Sequence, residues 1–140
     1  MNGRYFLDTN LFVYTFDRTS PSKFNRATAL IREAVQTRKG IVSYQVVQEF
    51  FNVALRRFTE PMTAVEAGQY LVTVFRPLLA VHSSPALFQE ALALSSRYRL
   101  AWYDALIVAS AQFGEADVLY SEDFQDGQEF GSLRVRNPFK

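Results

Sequence analysis

Four carboxylates, Asp8, Glu49, Asp104 and Asp123, lie far apart in the chain, yet each falls where the local pattern predicts that a strand ends or a helix begins. In an open α/β sheet that placement lets them meet, because ligands bind in the crevice beyond the carboxyl ends of the strands. Gathered in one pocket without a counter-charge, they would repel one another strongly at low effective dielectric. An all-oxygen, acid-rich pocket is what a hard cation such as Mg²⁺ or Mn²⁺ prefers. The chemistry to expect is hydrolysis of a phosphate ester by metal-activated water, which needs no titrating side chain of its own. Asn10 and Ser121, neutral oxygen carriers beside Asp8 and Asp123, suit the supporting task of orienting a carboxylate or a water.

Other chemistries find few residues to use. The chain has one histidine, His82, and no cysteine, so two-histidine acid/base catalysis, a thiol nucleophile and a thiolate zinc site are all excluded. No serine sits in a G-x-S-x-G elbow, and neither G-x-x-x-x-G-K-[ST] nor G-x-G-x-x-G occurs. His82, at the end of a strand, reads as structural or surface.

The elements that must position the acids follow from periodicity and caps. Tyr5-Phe6-Leu7 reads as a buried strand that leaves into Asp8-Thr9-Asn10, with a short helix over Leu11–Phe16. Ser20-Pro21 opens a helix whose apolar residues recur from Phe24 to Val35, and Gly40 is expected to close it. A second strand, residues 41–43, leads into an aromatic-rich helix with an apolar stripe from Val46 to Phe58 and Glu49 in its early turns. Thr63-x-x-Glu66 matches a capping box, opening a helix to about Phe75 that meets Pro77. A third strand over 78–81, a helix after Ser84-Pro85, and a nearly apolar helix over Trp102–Phe113 that ends at Gly114 come next. A fourth strand, Val118–Tyr120, runs into Ser121-Glu122-Asp123, and Leu133–Val135 adds a short edge strand. Strands alternating with helices predict βαβ units, hence a three-layer α/β/α sandwich on a parallel sheet of four to five short strands.

At 140 residues, 49% hydrophobic and 15% aromatic, the chain suits one domain spanning 1–140 with a packed core. A formal charge of +1 excludes a strongly basic nucleic-acid arm, so any polyanion contact must come from clustered cations. The lack of cysteine suits a reducing cytosol, and no apolar run approaches the ~18 residues that a membrane span needs. A cytoplasmic protein without a membrane partner is the expectation.

Each acid also has a plainer use. Asp8-Thr9-Asn10 is good capping sequence, and Asp104 in a first helical turn complements the macrodipole. Glu49 beside Gln48 suits a solvent-facing position, while Asp123 competes with Glu122 and with Asp126, whose Asp126-Gly127 step is a turn signal. Two adjacent aromatics, Phe50 and Phe51, cannot both point straight inward from a helix, which leaves one for a partner surface.

Taken jointly, strand-then-Asp8-Thr9-Asn10, Glu49 on the helix after the second strand, Trp102-Tyr103-Asp104-Ala105-Leu106-Ile107, and Leu119-Tyr120-Ser121-Glu122-Asp123 resemble the PIN-domain ribonucleases, and most of all their VapC toxin branch. The resemblance covers essentially the whole chain in the right order. It implies a five-stranded parallel α/β/α sandwich, Mg²⁺ or Mn²⁺ held by Asp8, Glu49, Asp104 and Asp123, and endonucleolytic cleavage of RNA. It also implies a cognate antitoxin that blocks the site with an extended or helical segment, and a homodimer. An RNA substrate needs cations near the acids to offset repulsion of its phosphates, for which Lys23, Arg26, Arg97 and Arg99 are the candidates. Two other readings stand beside this one: a non-catalytic interaction module with a degenerate pocket, and a receiver-like phospho-acceptor domain. The second lacks a lysine beside the fourth strand.

Overall fold

Tyr5, Phe6 and Leu7 are all buried, as an apolar run must be at the centre of a parallel sheet covered on both faces. In the computed structural model, which describes residues 2–140, they form β1 (Tyr5–Leu7), followed by α1 (Thr9–Tyr14), α2 (Pro21–Thr37), β2 (Gly40–Ser43) and α3 (Tyr44–Ala54). Then α4 (Ala64–Tyr70) passes through a single π turn (Leu71–Phe75) into the short α5 (Arg76–Leu78) and β3 (Leu79–Val81). The remainder comprises α6 (Pro85–Tyr98), α7 (Trp102–Phe113), β4 (Val118–Tyr120), β5 (Glu129–Phe130) and β6 (Leu133–Arg136).

The sheet order is β3-β2-β1-β4-β6-β5. β1 pairs in parallel with both β2 and β4, so successive strands step away from β1 to one side and then to the other. The crevice between β1 and β4 is therefore a topological switch point. Helices flank this sheet: α1 packs on α2 and α3, whereas α7 lies on β2, β4 and α6. Residues 105–111 of α7 are all buried, so its nearly apolar sequence marks the central helix.

Several expectations need correction. The sheet is not wholly parallel and has six strands, because two-residue β5 folds back antiparallel onto β6 through Gly131, at φ 62°. A two-residue strand carries too little alternation to be seen in sequence. Gly40 does not close α2; Arg38 does so in the left-handed conformation, and Gly40 is the first residue of β2. Pro77 does not stop the helix it meets, since the wide π turn, with Arg76 N–H donating to the Leu71 carbonyl, carries the chain past it into α5. α3 ends at Ala54, so Phe58 lies beyond the helix, yet its ring still packs 6.0 Å from that of Phe50. Phe51 joins the core as well, 5.7 Å from Phe75, and Phe12, Tyr70 and Phe75 complete the aromatic cluster around fully buried Phe50. The capping box at Thr63 and Glu66 forms as expected.

Gly40 has a packing reason instead. A Cβ there would lie 2.3 Å from the Ala34 Cβ of α2, a contact with no flexible side chain to yield. Gly→Ala in a strand ordinarily stabilises by roughly 0.5–1 kcal/mol, but forcing α2 off the sheet costs about 1–3 kcal/mol, so the clash wins. Gly40→Ala is expected to lower the urea midpoint accordingly, and an unchanged or higher midpoint would contradict the close α2–β2 packing.

Candidate active site

Asp8 follows β1 directly, and its backbone N–H still donates to the Tyr120 carbonyl of β4 at 3.1 Å, so sheet pairing fixes its main chain. Asp8 is 7% exposed, and its carboxylate is held from two sides. Thr9 N–H donates to Oδ1 and Ser121 Oγ donates to Oδ2, each at 2.7 Å. The same Ser121 oxygen accepts from Asp123 N–H at 3.1 Å, which commits its own proton to Asp8 and anchors the loop that carries Asp123. The Thr9 hydroxyl donates to Glu49 Oε1 at 2.7 Å, tying the second turn of α3 to the start of α1. Thr9, through its backbone N–H and hydroxyl, and the Ser121 hydroxyl thus link three of the four acids.

Asp104 stands in the first turn of α7. All four acids line one cleft of 260 Å³, with Thr9, Asn10, Gln45, Asn52 and Tyr103. Burial pushes the Asp8 carboxyl up to about 7; its two hydrogen bonds oppose this and the charges of Asp123 and Glu49 add to it. Burial likewise raises Asp123, helped by Asp104, Glu122 and Glu49, and it raises Asp104. Every charged group that shifts these three acids is itself an acid. As the side chains stand, no three His, Asp or Glu residues among those described are close enough to hold one ion. The donor set nonetheless fits Mg²⁺ or Mn²⁺: it is all oxygen, anionic, and destabilised by mutual repulsion that a cation would reverse.

The supporting residues differ from expectation. Ser121 bonds to Asp8 as foreseen, but the partner on the other side is Thr9; Asn10 is exposed and only lines the cleft. Glu122 lies in an ion pair with Lys23 at 2.9 Å and accepts from Tyr14, and Asp126 accepts from Asn137 N–H at 2.9 Å, so neither belongs to the cleft. The four expected cations do not line it either. Lys23 is engaged by Glu122, Arg26 donates to the Pro138 carbonyl at 3.1 Å, Arg97 lies over the Tyr98 ring, and Arg99 ends α6 in the left-handed region. Arg18 and Arg57 line a neighbouring groove that shares Val53 with the cleft. Gln45, Glu49 and Asn52 all line the cleft, and their i, i+4, i+7 spacing is a polar stripe on an apolar helix that the sequence does carry. His82 packs against Tyr44 with ring centroids 4.5 Å apart.

These shifts have a sign for stability. The folded chain holds the Asp8 proton up to about pH 7 and the unfolded chain releases it near 3.8, so between those values the native state binds more protons. Metal-free protein should therefore lose stability as pH rises from about 4 to 7. Asp8→Asn should flatten that slope, gaining about 1 kcal/mol or more at pH 7 in EDTA, roughly 3 °C in Tm. Parallel melting curves for the two proteins across this range would contradict the burial of an uncompensated carboxylate. Ser121→Ala leaves one Asp8 oxygen unpaired and should destabilise by about 1–3 kcal/mol at neutral pH, read by urea denaturation; no change would mean that the 2.7 Å bond is not formed.

Residues 5–125 match the PIN domain family. Among solved structures, the fold is similar to a chain of a toxin-antitoxin complex from Klebsiella pneumoniae, at 18% identity over 96% of this chain and 97% of that one, with a TM-score of 0.65. It is similar to VapC20 of Mycobacterium tuberculosis, described as a Sarcin-Ricin loop cleaving toxin, at 18% identity over 85% and 89% and a TM-score of 0.61. It is similar as well to a chain of FitAB bound to an IR36 DNA fragment, at 18% identity over 97% and 96% and a TM-score of 0.69. No curated protein matches the sequence. At that identity the structural likenesses speak to fold alone, whereas the match over 5–125 spans most of the chain and agrees with the sheet order and with the acids at its switch point: the chain belongs to the PIN domain family.

Proposed function

We propose that the chain is a Mg²⁺- or Mn²⁺-dependent endoribonuclease, the toxin of a toxin-antitoxin pair. The observation that carries this reading is the arrival of Asp8, Glu49, Asp104 and Asp123 in one 260 Å³ cleft at the sheet's switch point. The solved neighbours support it, one being described as a toxin that cleaves the Sarcin-Ricin loop and another as a toxin-antitoxin complex.

In this reading the four carboxylates hold the ion, and the side chains must draw together from where they now stand to do so. A divalent cation there would supply a water of lowered pKa as nucleophile and offset the charge that develops on the phosphate. The chain's own residues do the positioning. Ser121 and Thr9 hydrogen-bond Asp8 and Glu49, which limits the side-chain entropy left to lose as the site closes. Gln45 and Asn52, neutral and at the cleft wall, offer hydrogen bonds to a phosphodiester that the acids would repel. Water attacks phosphorus in line, the P–O3′ bond breaks and the 3′ oxygen leaves as a hydroxyl. An antitoxin segment covering the cleft, a homodimer and a cytoplasmic location complete the proposal; among the described residues no helix is long and apolar enough to cross a membrane.

A non-catalytic module is the second reading, and one observation favours it: among the described residues no three acids now stand within reach of one ion. Two measurements separate the readings. Saturating Mn²⁺ should raise Tm of the EDTA-treated protein by several degrees, since a ligand at about 100 times its Kd contributes about 2.7 kcal/mol, and Asp8→Asn should abolish the rise. Purified protein should cut RNA to 5′-phosphate and 3′-hydroxyl ends, with EDTA or Asp8→Asn lowering the rate about 100-fold or more. No metal-induced shift would favour the module, and 2′,3′-cyclic phosphate ends would overturn the hydrolytic mechanism.

A further inference from the structure

Next to the acid cleft a second cavity, of 350 Å³, lies between the start of α3, the end of β3, α6 and α7, and it shares Gln45 and Tyr103 with the cleft. Its rim is aromatic: Phe88 and Trp102 are 41% and 37% exposed, their ring centroids 6.0 Å apart. Its wall includes Ser43 and Ser110, which are 2% and 0% exposed, and neither hydroxyl meets a partner. Ser43 holds the N-cap position of α3, where a serine ordinarily accepts from the helix's first amides, but it makes no such bond. Gln45 Nε2 donates to the Tyr103 carbonyl at 3.1 Å, which orients the amide and leaves its Oε1 as a buried acceptor without a donor.

Three such atoms at one cavity are expensive. An unpaired buried polar group costs about 1–3 kcal/mol, and alanine at 43 and 110 would remove two of them at almost no loss of packing. Their presence is accounted for by a ligand that pairs with them. We propose that the cavity is a base-recognition subsite, in which an unpaired nucleobase next to the phosphodiester in the acid cleft stacks against the aromatic rim of Phe88 and Trp102 and is read by Ser43, Ser110 and Gln45. The assignment rests on the ribonuclease reading for its substrate class. The rim offers π faces for an unstacked base, and the shared wall of Gln45 and Tyr103 sets that base beside its own phosphate. A serine hydroxyl without a partner is free to turn among its staggered rotamers, to donate or accept. Gln45 Oε1 only accepts, so it requires an N–H on the base, which the Watson–Crick edge of every standard base presents.

Trp102 is the only tryptophan of the chain, so its fluorescence reports occupancy without catalysis. The full chain in EDTA is titrated with AMP, GMP, CMP and UMP, with ribose 5-phosphate as the baseless control. At least one nucleotide should quench saturably and ribose 5-phosphate should not. Ser43→Ala/Ser110→Ala should weaken that binding about tenfold without lowering Tm, and Phe88→Ala, at an exposed position, should weaken it too. Quenching that is absent for all four nucleotides, or unchanged in the double variant, overturns the subsite, as does a fall in Tm, which would show the hydroxyls to have structural partners. In a second arm, oligoribonucleotides with each base flanking the cut should show a preference in kcat/KM at one position that the double variant narrows about tenfold. Asp8-dependent cleavage whose base preference survives the double variant overturns the subsite alone. Nucleotide binding without any Asp8-dependent cleavage overturns the ribonuclease reading and supports the cavity as a base site; a saturable quench by a protein partner's peptide and by no nucleotide overturns it.

Discussion

The structure depends on an electrostatic liability that the sheet creates and does not itself relieve. Parallel pairing of β1 with β2 and β4 delivers Asp8 and Asp123 to the two sides of the switch point, and α3 and α7 bring Glu49 and Asp104 to the same cleft. Burial holds the carboxyl of Asp8 well above its ordinary range, and its acidic neighbours push in the same direction. What keeps the arrangement from splaying is a pair of neutral residues: Thr9 spans Asp8 with its backbone N–H and Glu49 with its hydroxyl, and the Ser121 hydroxyl spans the Asp8 carboxylate and the Asp123 backbone N–H. Neither carries charge, so they orient the acids without neutralising them. Under the proposed function, a cation in the cleft would reverse this cost.

Two helices divide their polar residues between the two cavities. On α3, Gln45, Glu49 and Asn52 face the cleft, while Gln48 and the preceding Ser43 line the neighbouring cavity, with Gln45 common to both. On α7, Trp102 opens the second cavity and Asp104, two residues on, serves the first. The buried run from Ala105 to Ala111 locks α7 onto the sheet, so Trp102 and Asp104 at its N-terminus cannot shift independently. The core thus fixes the distance between a charged cleft and an aromatic pocket.

Much of this was legible in the sequence because strong local signals agreed with the fold. The buried run of β1, the capping box at Thr63 and the apolar α7 each carry a one-dimensional pattern that survives into three dimensions. The acids were legible for the same reason, since ends of strands and starts of helices are visible in the chain. What escaped notice needs three-dimensional proximity. Thr9 reads as a capping residue until α3 brings Glu49 within 2.7 Å. Gly40 reads as a helix stop until Ala34 is seen against it. The expected cations do not line the cleft, because sequence neighbourhood is a poor guide to the field around it: Arg97 and Arg99 precede Asp104 closely, yet Arg97 lies over the Tyr98 ring and Arg99 ends α6, whereas Arg18 and Arg57, from distant segments, line the adjoining groove.

If these four acids are bridged by a hard cation, X-ray diffraction from crystals grown with Mn²⁺, collected for anomalous signal, should reveal it. An anomalous peak is expected inside the cleft, with at least three of Asp8, Glu49, Asp104 and Asp123 turned in to meet it, directly or through water. A cleft without a peak, its carboxylates standing apart as they do in the free chain, would contradict it.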